Sequence, residues 1–453
     1  MATTADVNTS GTGIALVGVA RPSLIRAIGR WSLTAAVINC VIGSGIFGLP
    51  SALASLVGVW SPLAVLFAGC SIFTIVLCFA EVGSRFEDAG GPYLYAREAF
   101  GPAVGFQVGW LHLWTRVLSG AAVLNVLVEY LGAIVPSVQT PVGRAVAMTG
   151  GMALVTATNI TGVRNATWAV NVFTVAKLLP LFLLILLGAF HLRPDVFATQ
   201  VVSIPNWSEA VLLLVFAYGG FESAVIAASE TRNPKGDTAF ALITAMAAVT
   251  VVYCLVQLAV LGVLPHAAQS ATPVASALGE LLGATGSATG SLAVVVSVYG
   301  WLTGLALLTP RILLSMANRN ELPAVFASVH SRFRTPHISI AINSAIVLVL
   351  GLSSSFTQAA TLAAISRLGI FVSTCAALVK FRGQAGESSG FRLPGGRVVA
   401  LTGIAFCLWL LSTRSFAQVW ILFAIMAAGA LLWAGGRNGW FTLRAATDTG
   451  DAP

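Results

Sequence analysis

The fold turns on Val41-Ile42-Gly43-Ser44-Gly45-Ile46-Phe47. The heptapeptide lies inside an apolar run from Leu33 to Leu56, long enough to cross a bilayer. Two glycines in three residues disfavour the middle of a helix. In hydrocarbon the penalty grows, because a broken turn leaves amides and carbonyls without water. Such a break survives where it lines a cavity, and its bare backbone can then bind a solute. A second interruption, Ala217-Tyr218-Gly219-Gly220, falls inside the apolar run from Ala210 to Ala228. Interrupted spans in corresponding halves of a chain point to the substrate site of a transporter.

The composition agrees with a chain that lives in lipid. Of 453 residues, 57% are apolar and only 9% are charged, against about 25% charged in soluble domains. This is the pattern of an all-α integral membrane protein. The cysteines, Cys40, Cys70, Cys78, Cys254, Cys375 and Cys407, all lie in apolar runs without zinc-ligand spacing. They read as small packing residues, so neither a metal nor a cofactor is expected. The segment 1–20 lacks a basic start followed by an apolar core and reads as a tail, not a cleaved signal.

Twelve spans are expected: 32–56, 60–83, 104–131, 142–160, 166–190, 208–229, 238–264, 289–317, 337–354, 357–381, 398–413 and 417–434. A short helix over 273–283 precedes the eighth. If the N-terminus is inside, seventeen lysines and arginines fall in inner segments, among them Arg26, Arg30, Arg85, Arg97, Arg319, Lys380 and Arg382. Only Arg144, Arg193 and Arg414 fall outside. The excess predicts a multi-pass protein of the inner (plasma) membrane with both termini cytoplasmic. It also explains the net charge of +8 as an insertion signal matched to anionic lipid, with no nucleic-acid partner. The first and sixth spans are the interrupted ones, so the two halves start from opposite faces. The expected organisation is a tail (1–30), a first repeat (31–190), an inverted second repeat (207–381), two added spans (397–436) and a second tail (437–453).

Gly43-Ser44-Gly45-Ile46-Phe47 resembles the first-span signature of the amino acid–polyamine–organocation superfamily. Glu81-Val82-Gly83-Ser84, Gly90-Gly91-Pro92-Tyr93 and Ala99-Phe100-Gly101 resemble its second-to-third-span connection. Phe216 to Glu222, with Glu230 and Asn233-Pro234-Lys235, resembles its sixth span and exit. Trp301, Arg311, Leu322-Pro323 and Thr335-Pro336-His337 resemble its eighth span and the following loop. The resemblance covers roughly residues 25 to 400. It implies a leucine-transporter-like fold, a five-plus-five inverted repeat with broken helices 1 and 6, carrying amino acids or related amines.

The amides of Gly43, Ser44 and Gly45 begin a half-helix, and a helix N-terminus favours an anion such as an α-carboxylate. Carbonyls around Val41–Ile42 and Phe216–Ala217–Tyr218, with Gly219 beside them, are expected to receive the α-ammonium. The plain alternative is a packing notch. By the resemblance, Phe216 is an aromatic gate and Trp301 a pocket aromatic; otherwise both are core or lipid-facing rings. Lys177 lies thirteen residues beyond Arg164, about 20 Å deep, where a charge needs a partner. The resemblance gives it the place of a sodium ion, hence sodium-independent transport, and leaves it either a strut or a proton carrier. Glu222, His112 and Arg116 form an expected inner gate, either titrating or permanently neutralised by Arg116. Arg367 either pairs with Glu222 or faces the substrate. Gly101, Gly105 and Gly109 make a stripe that packs another helix.

The expected function is secondary transport of amino acids by alternating access, through exchange or proton coupling. No Walker loop suggests ATP as the energy source, and no nucleophile–base pair suggests an enzyme. A polyamine carrier and an amino-acid-binding sensor are the alternatives, and monomer and homodimer stay open. Gly43→Val or Ser44→Trp is expected to abolish uptake while the protein still inserts. Wild-type uptake rates in those variants would remove the site from this stretch.

Overall fold

The computed structural model describes residues 29–86, 90–162, 166–191, 193, 202–224, 231, 233–384 and 390–440. The expected tails before residue 29 and after 440, together with Arg164, Glu230 and Arg232, lie outside the described residues.

The first apolar run does not form one helix. α1 (Arg30–Val41) stops and α2 (Gly45–Val57) resumes three residues later. α3 (Ser61–Gly83), α4 (Gly91–Phe100), α5 (Pro102–Ile134), α6 (Pro141–Thr161) and α7 (Ala166–Gly188) follow. The second interrupted run gives α8 (Ile204–Ala217) and α9 (Phe221–Ala224). Then come α10 (Pro234–Val263), α11 (Pro273–Asn318), α12 (His337–Ser353), α13 (Phe356–Phe381), α14 (Gly396–Ser412) and α15 (Phe416–Arg437). Each expected span meets a helix. Gly283, at φ 68°, kinks α11 where the short 273–283 helix was expected to end. The Gly90-Gly91-Pro92 turn signal opens a helix, α4, that hydropathy alone did not reveal.

Starts and stops follow ordinary helix chemistry. Pro102, Pro141, Pro234 and Pro273 occupy first helical positions, where no amide partner is lost. Ser355 with Gln358 and Ser415 with Gln418 form reciprocal capping boxes on α13 and α15. Among the described residues, six helical stretches are long and apolar enough to cross a membrane, and four shorter helices are apolar as well. α5 and α13 are the most enclosed of the six, and α15 is the least. α5 packs on α13 and α11, and α10 packs on α3 and α1.

Glycines set how closely these helices approach. A Cβ on Gly45 would lie 2.8 Å from the Ala217 Cα, so α2 meets α8 at the backbone. The expected stripe on α5 is split in role. Gly105 abuts Arg97, and Gly109 abuts Tyr93 and Met316. Gly101, at φ 94° with open space around it, turns the chain between α4 and α5.

At the end of the bundle that carries Arg85 and Arg382, Glu81 anchors a loop. Arg382 Nε and Nη2 donate to its two oxygens, at 2.8 and 2.5 Å, and the Leu393 amide donates at 2.9 Å. The Glu81-Val82-Gly83-Ser84 motif is thus a clamp on the connection between α13 and α14. Arg382 also lies outside the bundle core, and its charge is held firmly by Glu81.

Gly220 is the sharpest backbone requirement. Its φ is 116°, and a Cβ there would reach 2.5 Å from the Cys40 carbonyl oxygen. Gly220→Ala is expected to cost about 1–3 kcal/mol, the range for a strained backbone position. Gly150→Ala, in open space on α6, is expected to be neutral or to stabilise by up to about 1 kcal/mol. Thermal unfolding of both variants in detergent checks the contrast.

Candidate substrate cavity at two broken helices

In the first break the Ile42 amide makes the last bond of α1, to Ile38 O at 2.8 Å. α2 then starts with Phe47 and Gly48 donating to Ser44 O at 3.1 and 3.0 Å. Among the described residues, no acceptor takes the amides of Gly43, Ser44 and Gly45. They line a cavity of about 210 Å³ together with Asn39, Val41, Arg116, Lys177, Phe216, Ala217, Gly219, Glu222, Trp301 and Arg367. That volume is below the roughly 300–1,000 Å³ of pockets for drug-sized ligands and suits a small solute.

The freed carbonyls are not bare. The Tyr253 hydroxyl, on α10, lies between the two breaks, 3.1 Å from Val41 O and 3.0 Å from Ala217 O, and shares its single proton between these two acceptors. Lys177 Nζ donates to Asn39 O and Oδ1, both at 2.8 Å. Arg367 Nη1 donates to Phe216 O at 3.2 Å and Val215 O at 3.4 Å. Of the carbonyls expected to hold an ammonium, those of Val41, Phe216 and Ala217 therefore already lie within reach of protein donors. A carbonyl has a second lone pair, so they add to an ammonium site without forming one alone.

The second break is closed by its own carboxylate. Glu222 Oε2 accepts from the Gly220 amide at 2.8 Å, and Glu222 Oε1 accepts from Arg367 Nε at 2.9 Å. Both side chains are buried, Glu222 1% and Arg367 6% exposed. Of the two roles open to Arg367, the geometry takes the pairing with Glu222. Gly219 is what admits it, because the guanidinium occupies the space a Cβ would need. The ion pair on Glu222 thus comes from α13. Arg116 Nε, expected as the neutraliser, donates to Thr309 Oγ1 at 2.9 Å on α11.

The remaining expected residues divide. Trp301 faces the first break, with its Nε1 3.4 Å from where a Gly43 Cβ would stand. Phe216 lines the cavity and meets Phe356 edge-on at 6.0 Å. Tyr218 turns the other way: its hydroxyl donates to Val65 O at 3.0 Å, and its ring packs on Tyr253. Ile42 is buried in the core and does not line the cavity. His112 is 5% exposed, within electrostatic reach of Glu222, and is not on the cavity wall.

Two residues escaped the sequence reading. Asn39 carries a visible signal, an amide side chain three residues before the break in an otherwise apolar span. Tyr253 carries none, since a lone tyrosine in an apolar helix is usually core or interface.

A family profile described as "Amino acid permease" matches residues 28–427. The chain belongs to the amino acid permease family. The serine/threonine exchanger SteT of Bacillus subtilis (strain 168) is 28% identical over 346 residues, covering 73% of this chain and 78% of the relative. The methylthioribose transporter of the same organism is 27% identical over 447 residues, covering 91% and 93%. The arginine/agmatine antiporter of Chlamydia pneumoniae is 23% identical over 437 residues, covering 89% of each. This permease is therefore a multi-pass membrane transporter, not an enzyme.

One hydroxyl within reach of both breaks is expected to hold their relative position. Tyr253→Phe removes a hydrogen bond worth about 0.5–1.5 kcal/mol. The substrate KM is expected to rise roughly two- to tenfold, with folded yield and maximal rate little changed. Initial-rate uptake in proteoliposomes separates the two parameters, and an unchanged KM contradicts the role.

Proposed function

We propose that this permease carries an amino acid by alternating access, binding it between the two helix breaks. The observation that carries the reading is the row of unaccepted amides at Gly43, Ser44 and Gly45 on a small cavity. An N-terminus of this kind suits a substrate carboxylate. Phe216 and Trp301, the large rings on the wall, serve as the gate and the pocket aromatic, excluding water from the bound solute.

In this reading the chain makes twelve crossings. α1 with α2 is the first and α8 with α9 the sixth. The part of α11 beyond Gly283 is the eighth, and α14 and α15 are the last two. Residues 31–190 and 207–381 are inverted repeats, and the tails at 1–30 and 437–453 are cytoplasmic. The lysine and arginine excess supports the orientation. The two breaks, five crossings apart, support the repeat.

Transport is sodium-independent in this proposal. The Lys177 ammonium lies on two oxygens of Asn39 at the first break, a fixed cation where a mobile one would otherwise bridge helices. Energy then comes from exchange or a proton. Glu222, His112 and Arg116, with Arg367, form the polar layer that couples the two breaks to the scaffold helices α5 and α13.

The test is counterflow in proteoliposomes preloaded with unlabelled amino acids. Accumulation of a labelled amino acid with sodium absent is the expected result. Counterflow that requires sodium overturns the coupling assignment. Saturable binding without accumulation makes the protein a sensor, and competition by putrescine but by no amino acid makes it an amine carrier.

A further inference from the structure

We infer that Gly304, on α11, makes the room for the substrate's side chain, and that this side chain is aliphatic and of about leucine size. The inference rests on the amino acid reading above. Glycine is a poor residue for a helix interior, so its use there is the space that its missing side chain leaves. Among the described residues, six glycines line the cavity: Gly43, Gly45, Gly219, Gly220, Gly300 and Gly304. At five of them the protein itself takes that space. A Cβ on Gly45 would stand 2.8 Å from the Ala217 Cα, and one on Gly220 would stand 2.5 Å from the Cys40 carbonyl oxygen. On Gly219 it would run into the Arg367 guanidinium, on Gly300 into the Phe173 ring, and on Gly43 it would meet the Trp301 indole at 3.4 Å. Gly304 is the exception. Among the described residues, nothing lies within 4 Å of where its Cβ would stand. No packing partner accounts for this glycine, and the surface it leaves open is cavity wall.

The place of Gly304 fits a solute held by its backbone at the first break. Trp301 faces that break and precedes Gly304 by three residues, a helical rise of about 4.5 Å. A carboxylate on the amides of Gly43, Ser44 and Gly45 sets the solute's Cα near Trp301. A side chain that extends past its Cβ then reaches Gly304, and a shorter one stops before it. Leu305 and Leu308 flank Gly304 on the same wall. Ser297, the hydroxyl on this face of α11, lies two turns away, beyond Trp301. The charged side chains of the cavity come from other helices: Arg116 from α5, Lys177 from α7, Glu222 from α9 and Arg367 from α13. The wall around Gly304 is therefore apolar, and an aliphatic side chain gains by leaving water for it. The small volume, about 210 Å³, favours leucine over a large ring.

The experiment measures half-saturation by leucine and by alanine, with glutamate and arginine as charged comparisons. Two readouts are used: ligand-induced thermal stabilisation of the purified protein, and counterflow in proteoliposomes. Leucine is expected to half-saturate the wild type at a concentration at least about tenfold below alanine, the scale that added methylenes give in an apolar pocket. Gly304→Ala is expected to raise the leucine value about three- to tenfold, and Gly304→Val at least about tenfold. The alanine value is expected to stay within about threefold in both, so that the preference is lost. Gly150→Ala, away from the cavity on α6, is expected to change neither value. If Gly304→Val does not fold, Gly304→Ala decides alone. Alanine, glutamate or arginine binding the wild type as tightly as leucine overturns this inference and leaves amino acid transport standing. A leucine preference that survives undiminished in the folded Gly304 variants overturns it as well. So does a fall in maximal rate for both amino acids with half-saturation unchanged, which makes Gly304 part of the passage. If none of the twenty common amino acids stabilises the protein or exchanges, the amino acid reading itself fails, a result distinct from loss of the preference.

Discussion

Backbone polar groups freed inside an apolar bundle must find partners, and this constraint organises the whole molecule. Each unsatisfied amide or carbonyl in hydrocarbon costs several kcal/mol. Two breaks free many such groups at once. The chain answers with three long side chains from three other helices: Tyr253 from α10, Lys177 from α7 and Arg367 from α13. Their donors end on carbonyls of the breaks, so the unwound segments are held from outside. The breaks are also held to each other. Tyr253 touches both with one oxygen, and Gly45 lets α2 reach the Ala217 backbone.

The two breaks are satisfied asymmetrically, and the asymmetry gives the cavity its chemistry. In the second, Glu222 is two residues from Gly220 and caps its amide. The protein supplies its own anion there and neutralises it with Arg367. In the first, no carboxylate follows the glycines, and among the described residues no acceptor takes the amides of Gly43, Ser44 and Gly45. One break is a closed structural joint, and the other leaves its amides facing a cavity. A buried ion pair is a weak source of stability but a strong source of order, because separating its partners strands a charge. Arg367 fits this pattern: it fixes the second break through Glu222 and two carbonyls, and only Gly219 leaves room for it.

Membership in the amino acid permease family fixes the scaffold more than the cargo. The substrates named for the relatives range from serine and threonine to methylthioribose and to arginine with agmatine. At 23–28% identity, most side chains differ between this chain and those relatives. Selectivity in such a family lies in a few side chains facing one small volume. Here Arg116 and Trp301 face that volume, beside Lys177 and Arg367.

Much of this was written in the sequence. Apolar runs of about twenty residues set the helices, because hydrocarbon leaves a chain few other backbone solutions. Gly43, Gly45, Gly219 and Gly220 announced the breaks, because glycine is costly inside a helix unless its absent side chain is used. Counting residues along the chain gave expected depths for Lys177, Glu222 and Arg367, since helical rise is constant. Counting gives depth but not direction around the axis. Only the tertiary structure decided that Arg367 takes Glu222, that Arg116 reaches Thr309, that Tyr218 turns toward Val65, and that Tyr253 joins the breaks. Those pairings join residues 36 to 212 positions apart and depend on rotation about a helix axis. Both are fixed by how neighbouring helices pack, which no single stretch of chain encodes.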